Sequence, residues 1–251
     1  VLGLGTCMIY TPIHAGEAQA QSKPNVLIIY TDDMGAGDVS FLNNGWVKTP
    51  NIDKLASGGL IVTNYYSSSP VSSPSRVGLT TGRFPTEMGI NCYLQTRKGN
   101  TACEQFDYLD ASVPTMAKVM KSAGYTTGHF GKWHMGGGRD VIDAPQITEY
   151  GFDEYISTWE SPNPDPVITD SAWIWSRTDQ VKRWDRTAYF VDKTLDFLKR
   201  HKGEPCFVNL WPDDMHTPWV PSQKTMDSER TSWTTPPNFK EVLTEYDKQI
   251  G

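Results

Sequence analysis

The residues with the clearest chemical potential lie in one string, Ser72-Ser73-Pro74-Ser75-Arg76-Val77-Gly78-Leu79-Thr80-Thr81-Gly82-Arg83. Pro74 presets φ for a first helical turn and Gly82 offers a stop, so a helix is predicted between them, with Ser72 just ahead of its N-terminus. A hydroxyl placed there sits beside free backbone N–H groups and the positive end of a helix dipole, a natural seat for an anion. Arg76, one turn in, adds a charge that does not titrate. Asp32-Asp33 are adjacent carboxylates whose repulsion calls for a cation, and hard oxygens suit Ca2+ with Mg2+ as the alternative; an exposed acidic turn is the competing reading. Lys132 and His134 are two apart, so an extended segment points both the same way, as an anion-binding pair does. His216, two residues ahead of Pro218, is ambiguous alone.

These residues need elements to position them. Residues 25–30 form a continuous β-branched run, the pattern of a strand buried on both faces of a parallel sheet, and 206–211 read as another buried strand. Strands are also predicted at 60–66 and 125–130. Helices are predicted over 49–58, over 114–123 with Met116, Val119, Met120 and Ala123 on one face, over 185–201 with Ala188, Val191, Leu195 and Leu198 on one face, and from 239 onward. Strand and helix alternate, which argues an α/β fold with a mostly parallel sheet sandwiched by helices. Asp32-Asp33, Lys132/His134 and His216 then follow strand ends, where open α/β sheets keep their sites. The strand at 60–66 delivers the chain to Ser72. Residues 137–184, rich in Gly, Pro, Asp and Trp, read as a long surface insertion. Within it Trp159, Trp173, Trp175 and Trp184 either pack or stack on sugar or aryl rings.

The chain has 251 residues, 38% hydrophobic and 21% charged, with a formal net charge of −6. That is enough for one large core, and it argues against general nucleic-acid binding while leaving room for a locally positive pocket. Residues 1–10 are apolar and lead into Ala18-Gln19-Ala20, which reads as the remnant of a secretory signal over 1–20 or as a buried N-terminal strand. The run is too short to span a membrane. Of four cysteines, Cys92 and Cys103 flank a polar loop and either pair in an oxidising compartment or remain free thiols.

The string Ser72-x-Pro74-Ser75-Arg76-x-x-Leu79-x-Thr81-Gly82-Arg83 resembles the signature of the type I sulfatases, in the alkaline-phosphatase-like superfamily. The resemblance extends to the strand with its Asp32-Asp33 pair and to the stretch from Gly124-Tyr125 through Gly131-Lys132-Trp133-His134, a second signature. It implies that Ser72 is oxidised to formylglycine (3-oxoalanine), whose hydrate attacks sulfur with one hydroxyl and expels sulfate through the other. It implies a divalent cation, Ca2+ foremost, held by Asp32, Asp33 and residue 72. Arg76 and Lys132 would hold the hydrate and the sulfate, His134 would hydrogen-bond the hydrate and take its second proton, and His216 would protonate the leaving alkoxide. Substrates would be sulfated glycans or aryl sulfates. A serine at position 72 implies an anaerobic radical-SAM maturase as partner, a bacterial source, and a periplasmic or secreted product. The family carries a further metal pair after a later strand, which is missing here. Residues 21–251 are therefore expected to be the N-terminal part of a catalytic domain, incomplete at its C-terminus and inactive alone. The competing functions are a phosphatase or phosphonate monoester hydrolase of the same superfamily, or a non-catalytic glycan-binding remnant.

Overall fold

The computed structural model describes residues 23–169 and 175–251. The proposed signal, Cys7 and Trp173 lie outside the described residues. Four strands are seen, β1 (Val26–Ile29), β2 (Thr126–Gly131), β3 (Glu154–Ser157) and β4 (Cys206–Trp211), with seven helices, α1 (Pro50–Ser57), α2 (Ser72–Thr81), α3 (Arg97–Ala102), α4 (Met116–Ser122), α5 (Arg186–Arg200), α6 (Gln223–Met226) and α7 (Pro236–Ile250). The strands form one sheet in the order β1-β4-β2-β3. All pairings are parallel, with Val26 opposite Phe207, Thr126 opposite Cys206 and Gly128 opposite Glu154.

The alternation of side chains along the central strand β4 builds two cores. Phe207 and Trp211 join Val77, Ala117, Trp133 and Phe152 on one face. Cys206, Val208 and Leu210 join Phe130, Phe190 and Phe197 on the other. Helices α2 and α4 thus cover one face and α5 the other, so the sandwiched α/β fold read from the sequence is the fold observed. A third cluster, Val47, Met215, Val242, Leu243 and Tyr246, seats α7. At the end of β2, Gly131 adopts φ +130°, and a Cβ there would lie 2.1 Å from the Trp211 carbonyl oxygen. Only glycine lets β2 pass that close to β4, and the passage aims Lys132 at the sheet's C-terminal edge.

Four expectations are corrected. Residues 60–66 form no strand; Leu60 is 89% exposed and Tyr66 80%. High β-propensity does not make a strand without a ladder partner, and none of the four described strands pairs with this segment. Residues 137–184 are not a surface insertion: they contain β3 and bury Val141, Ile147, Tyr150 and Phe152 completely or nearly so. The strand escaped notice because Glu154-Tyr155-Ile156-Ser157 is short and lies at the sheet's edge. On α5 the buried residues are Arg186, Thr187, Phe190, Thr194 and Phe197, one position out of phase with the predicted face, and Leu195 is 45% exposed. Its polar first turn is drawn inward by carboxylates described below. On α4, Val119 is exposed and Ala117 takes the buried place.

Candidate active site

Ser72 is the first residue of α2 and not the residue before it; Val71 is the N-cap, in extended conformation with no side-chain cap, and Pro74 falls inside the first turn. Arg76, one turn on, is 1% exposed and its guanidinium binds three partners. Nε donates to Ser72 Oγ at 3.0 Å, Nη1 donates to the Lys132 carbonyl at 3.1 Å, and Nη2 pairs with Asp32 Oδ1 at 3.3 Å. The group lies near the Tyr30 and Trp211 rings, 5.6 and 5.2 Å from their centroids, so apolar walls hold the fork in place. One planar cation thus joins the hydroxyl of α2 to the carboxylate that follows β1 and the backbone that follows β2.

Asp32 is 5% exposed, and its other oxygen accepts from Lys132 Nζ at 2.8 Å. Burial alone would raise its pKa, but the Lys132 ammonium and the Arg76 guanidinium hold it well below the usual carboxylate range. Lys132 also pairs with Glu160 Oε2 at 3.6 Å. Glu160 Oε1 lies 3.3 Å from both His134 Nε2 and Arg139 Nη2. Burial favours the neutral form of Glu160, yet His134, Lys132 and Arg139 keep its pKa below normal. Neither Glu160 nor Arg139 was singled out in the sequence; they sit in a stretch without periodicity.

His134, at φ +49°, turns its Nε2 to the Leu94 carbonyl at 3.1 Å as well as to Glu160. Two acceptors place the proton on Nε2. Nδ1 is then a buried lone pair with no partner among the described residues. Burial pushes the His134 pKa down to about 4, so the ring is neutral at pH 7. His129, packed edge-on against Trp133, Phe152 and Trp211, is pushed down to about 3, chiefly by burial. In the unfolded chain both rings titrate near their ordinary value of 6.5. The folded state therefore binds fewer protons, and stability is lost as pH falls from about 6.5 through 4, at up to ~1.4 kcal/mol per pH unit for each histidine. Urea midpoints that stay flat between pH 7 and 4.5 would contradict this.

Asp33 and His216 form the rim. Asp33, at φ +49°, is half exposed, and His216 Nε2 lies 3.9 Å from its Oδ2. His216 Nδ1 donates to the Thr217 carbonyl at 2.6 Å, leaving Nε2 to face the site. The loop that carries His216 begins with Asp213 and Asp214, both buried at the end of β4. Arg183 Nη1 pairs with Asp213 Oδ2 at 2.8 Å, and its Nη2 donates to the His216 carbonyl at 2.9 Å. Arg186 Nη1 meets the same Asp213 oxygen at 3.0 Å, while Thr187 N–H and Oγ1–H donate to Asp214 Oδ2 at 3.0 and 2.6 Å. These contacts bury the polar start of α5.

The five predicted catalytic residues and Asp32-Asp33 thus converge at one sheet edge. Of the two readings of the indoles, packing is what the described ones show: Trp175 packs against Trp233 at 5.2 Å, the partly buried Trp184 lies against that same cluster, and Trp159 is 6% exposed beside the Arg139 guanidinium. Asp32, Asp33 and Ser72 supply three hard oxygen donors, whereas Ca2+ takes six to eight. Among the described residues no group of three or more His, Cys, Asp or Glu side chains is arranged to hold a metal. Both Asp32 oxygens face cationic side chains, Lys132 Nζ and Arg76 Nη2, and Ser72 Oγ accepts from Arg76 Nε.

At the C-terminal edge of the parallel sheet of this α/β fold, a helix-start hydroxyl, a clamped guanidinium and an ammonium gather around a buried carboxylate. The chain belongs to the Sulfatase family, whose model matches residues 24–251. It is 38% identical over 269 residues to an N-acetylgalactosamine-6-O-sulfatase of Bacteroides thetaiotaomicron, covering 83% of this chain and 51% of that protein. It is 28% identical over 258 residues to human N-acetylgalactosamine-6-sulfatase, covering 94% of this chain and 47% of the other. A solved structure connected with the metabolism of multiple glycosaminoglycans by Bacteroides thetaiotaomicron superposes with a TM-score of 0.71 at 26% identity, covering 91% of this chain and 58% of that one. The chain spans about half the length of the curated relatives it matches.

Proposed function

We propose that the protein is a sulfuric ester hydrolase acting on sulfated glycans, with residue 72 as the reacting group after oxidation to formylglycine. The observation that carries this reading is the Arg76 clamp, which joins Ser72 to Asp32 and Lys132 within a buried, charge-balanced cluster. An unmodified serine is a poor choice here, because its sulfate would be another stable ester. The formyl group, once hydrated, supplies both a nucleophilic hydroxyl and a second hydroxyl for release, and a divalent cation at Asp32 and Asp33 would lower the pKa of that hydroxyl.

The chain's own residues do the remainder. Arg76 and Lys132 place two fixed positive charges where sulfate oxygens would bind. His134, neutral and with Nδ1 unpartnered, is a proton acceptor whose other nitrogen is pinned by Leu94 and Glu160. His216 on the rim keeps Nδ1–H on the Thr217 carbonyl, and in its imidazolium form it would give the Nε2 proton to a leaving alkoxide. The resemblance of the substrate name in two N-acetylgalactosamine-6-sulfatase relatives favours a sulfated amino sugar. The phosphatase reading is weaker, since the matched family is the sulfatases. A periplasmic or secreted location and an anaerobic maturase belong to this same proposal.

Two measurements test it. In the protein expressed from its complete reading frame alongside a radical-SAM maturase, the peptide containing residue 72 should be ~2 mass units lighter than its serine form, the two hydrogens removed by oxidation. Turnover of a sulfated amino sugar should appear with that mass change and vanish in Ser72→Ala. Full activity with unmodified serine would overturn the reading. The 251-residue chain alone, with three oxygen donors for the cation, is expected to bind Ca2+ weakly and give no turnover of a chromogenic aryl sulfate. Detectable turnover by the purified chain would contradict that expectation.

A further inference from the structure

A strap, residues 91–106 with α3 inside it, reaches the site through Leu94, and its two ends close on each other. Phe106 N–H donates to the Gly89 carbonyl at 2.9 Å, and Asn91 Nδ2 donates to the Glu104 carbonyl at 2.8 Å. The Asn91 amide also reaches the Cys103 carbonyl at 3.5 Å, so Cys92 and Cys103 fall side by side where the strap closes. Gln105 Oε1 accepts from the backbone N–H groups of both Asn91 and Cys92, at 3.0 and 2.7 Å, which holds Cys92 in that position. Gln95 Nε2 reaches Cys103 Sγ at 3.5 Å. Cys92 and Cys103 are both thiols and both are partly exposed, and burial together with the nearby Cys92 pushes the Cys103 thiol up. The third described cysteine, Cys206, is buried in the central strand.

We propose that Cys92 and Cys103 are a disulfide site, and that the bond locks the strap over the active-site histidine. Cys103 closes α3, and the Asn91 amide on the carbonyls of Cys103 and Glu104, with Gln105 on the Cys92 N–H, draws the two cysteines together, so the neighbouring side chains are placed for the short Cβ separation a disulfide needs. The bond closes a loop that contains Leu94, whose carbonyl binds His134 Nε2 at 3.1 Å and Arg139 Nη1 at 3.2 Å, and whose N–H donates to Ser73 Oγ at 2.8 Å. The strap therefore ties the start of α2 to His134, and its closure fixes Leu94 relative to both.

The reaction balances with a low-molecular-weight disulfide such as oxidised glutathione. One cysteine thiolate attacks a sulfur of the reagent and releases one glutathione thiolate. The second cysteine attacks the mixed disulfide at the protein sulfur and releases the other. The protein loses two electrons and two protons, and the reagent is reduced to two thiols. The bond itself does not rest on the sulfatase reading; only its bearing on His134 as a proton acceptor does.

The test is peptide mapping of the native protein, expressed from its complete reading frame, incubated with oxidised glutathione and then alkylated without reduction. Trypsin cuts after Arg97 and Lys98, so the bond would join peptides 84–97 and 99–118 as one species that separates on reduction. Separate, fully alkylated peptides, or a link from either one to Cys206, would overturn the proposal. A second readout is thermal: oxidised protein should melt roughly 5–10 °C above reduced protein, a difference absent in Cys92→Ser/Cys103→Ser. Hydrogen exchange at the Leu94 amide should slow by roughly tenfold on oxidation in the wild type alone. Equal exchange in both redox states would show that the bond does not hold the strap.

Discussion

Arg76→Ala, in the matured protein from the complete reading frame, is expected to lower kcat/KM by about a thousandfold or more. The guanidinium is the one group that touches Ser72, Asp32 and the Lys132 backbone together, and it is 1% exposed. Its removal takes a fixed charge from the place where sulfate would bind and frees residue 72 to turn. The same change should cost about 3 kcal/mol of stability, because Asp32 stays buried with Lys132 as its remaining cation. Arg76→Lys separates the two effects. It restores charge but not the three-way fork, so stability should recover more than activity does. Activity of Arg76→Ala within tenfold of wild type would remove Arg76 from the catalytic set.

The largest purely structural loss is expected at Asp213. Asp213 is 1% exposed, and its Oδ2 meets Arg183 at 2.8 Å and Arg186 at 3.0 Å. These guanidiniums and burial act in opposite directions on its pKa: burial would raise it, and the two arginines hold it well below the usual range. Asp214 beside it is pushed up, first by burial and also by the charge of Asp213. Asp213→Ala leaves Arg183 with Asp214, 3.9 Å away, as its nearest described carboxylate beside two backbone carbonyls, while Arg186 keeps Asp179 at 3.5 Å. The expected loss is about 3–5 kcal/mol, seen as a fall on the order of 10 °C in the melting midpoint of the 251-residue chain. The loop of His216 should loosen too, since Arg183 also binds the His216 carbonyl. Asp213→Asn keeps the shape and removes the charge, and should lose nearly as much. A midpoint within a degree or two of wild type for both variants would show that the cluster is not the anchor of that loop.

The amino-acid sequence by itself determined the class of fold and which polar residues gather at one edge of the sheet. The apolar runs at 25–30 and 206–211 mark two strands of the sheet; β4 is buried throughout, whereas β1, expected to be buried on both faces, lies at the sheet's edge with Leu27 45% exposed. The polar residues that follow them then fall at one sheet edge, since parallel strands all end on the same side. The string from Ser72 to Arg83 carries its own local signals, Pro74 and Gly82, and became helix α2 nearly as read, with Ser72 one position further in.

Tertiary structure decided the pairing of charges. Asp32 and Lys132 are 100 residues apart and meet because β1 and β2 flank β4 in parallel register. Nothing local to either residue encodes that neighbour. Glu160, Arg139, Arg183 and Asp213 lie in segments with no period, and their role appears only when several loops close over the same edge. Residues 60–66 show the converse: a strong local preference for strand came to nothing because a ladder needs a second chain segment to supply its hydrogen bonds. Helix α5 turned its apolar stripe by one residue because carboxylates from another strand captured its first turn. Composition and spacing speak for a residue's own preference; burial of charge depends on who arrives opposite it, and that is a property of the folded chain.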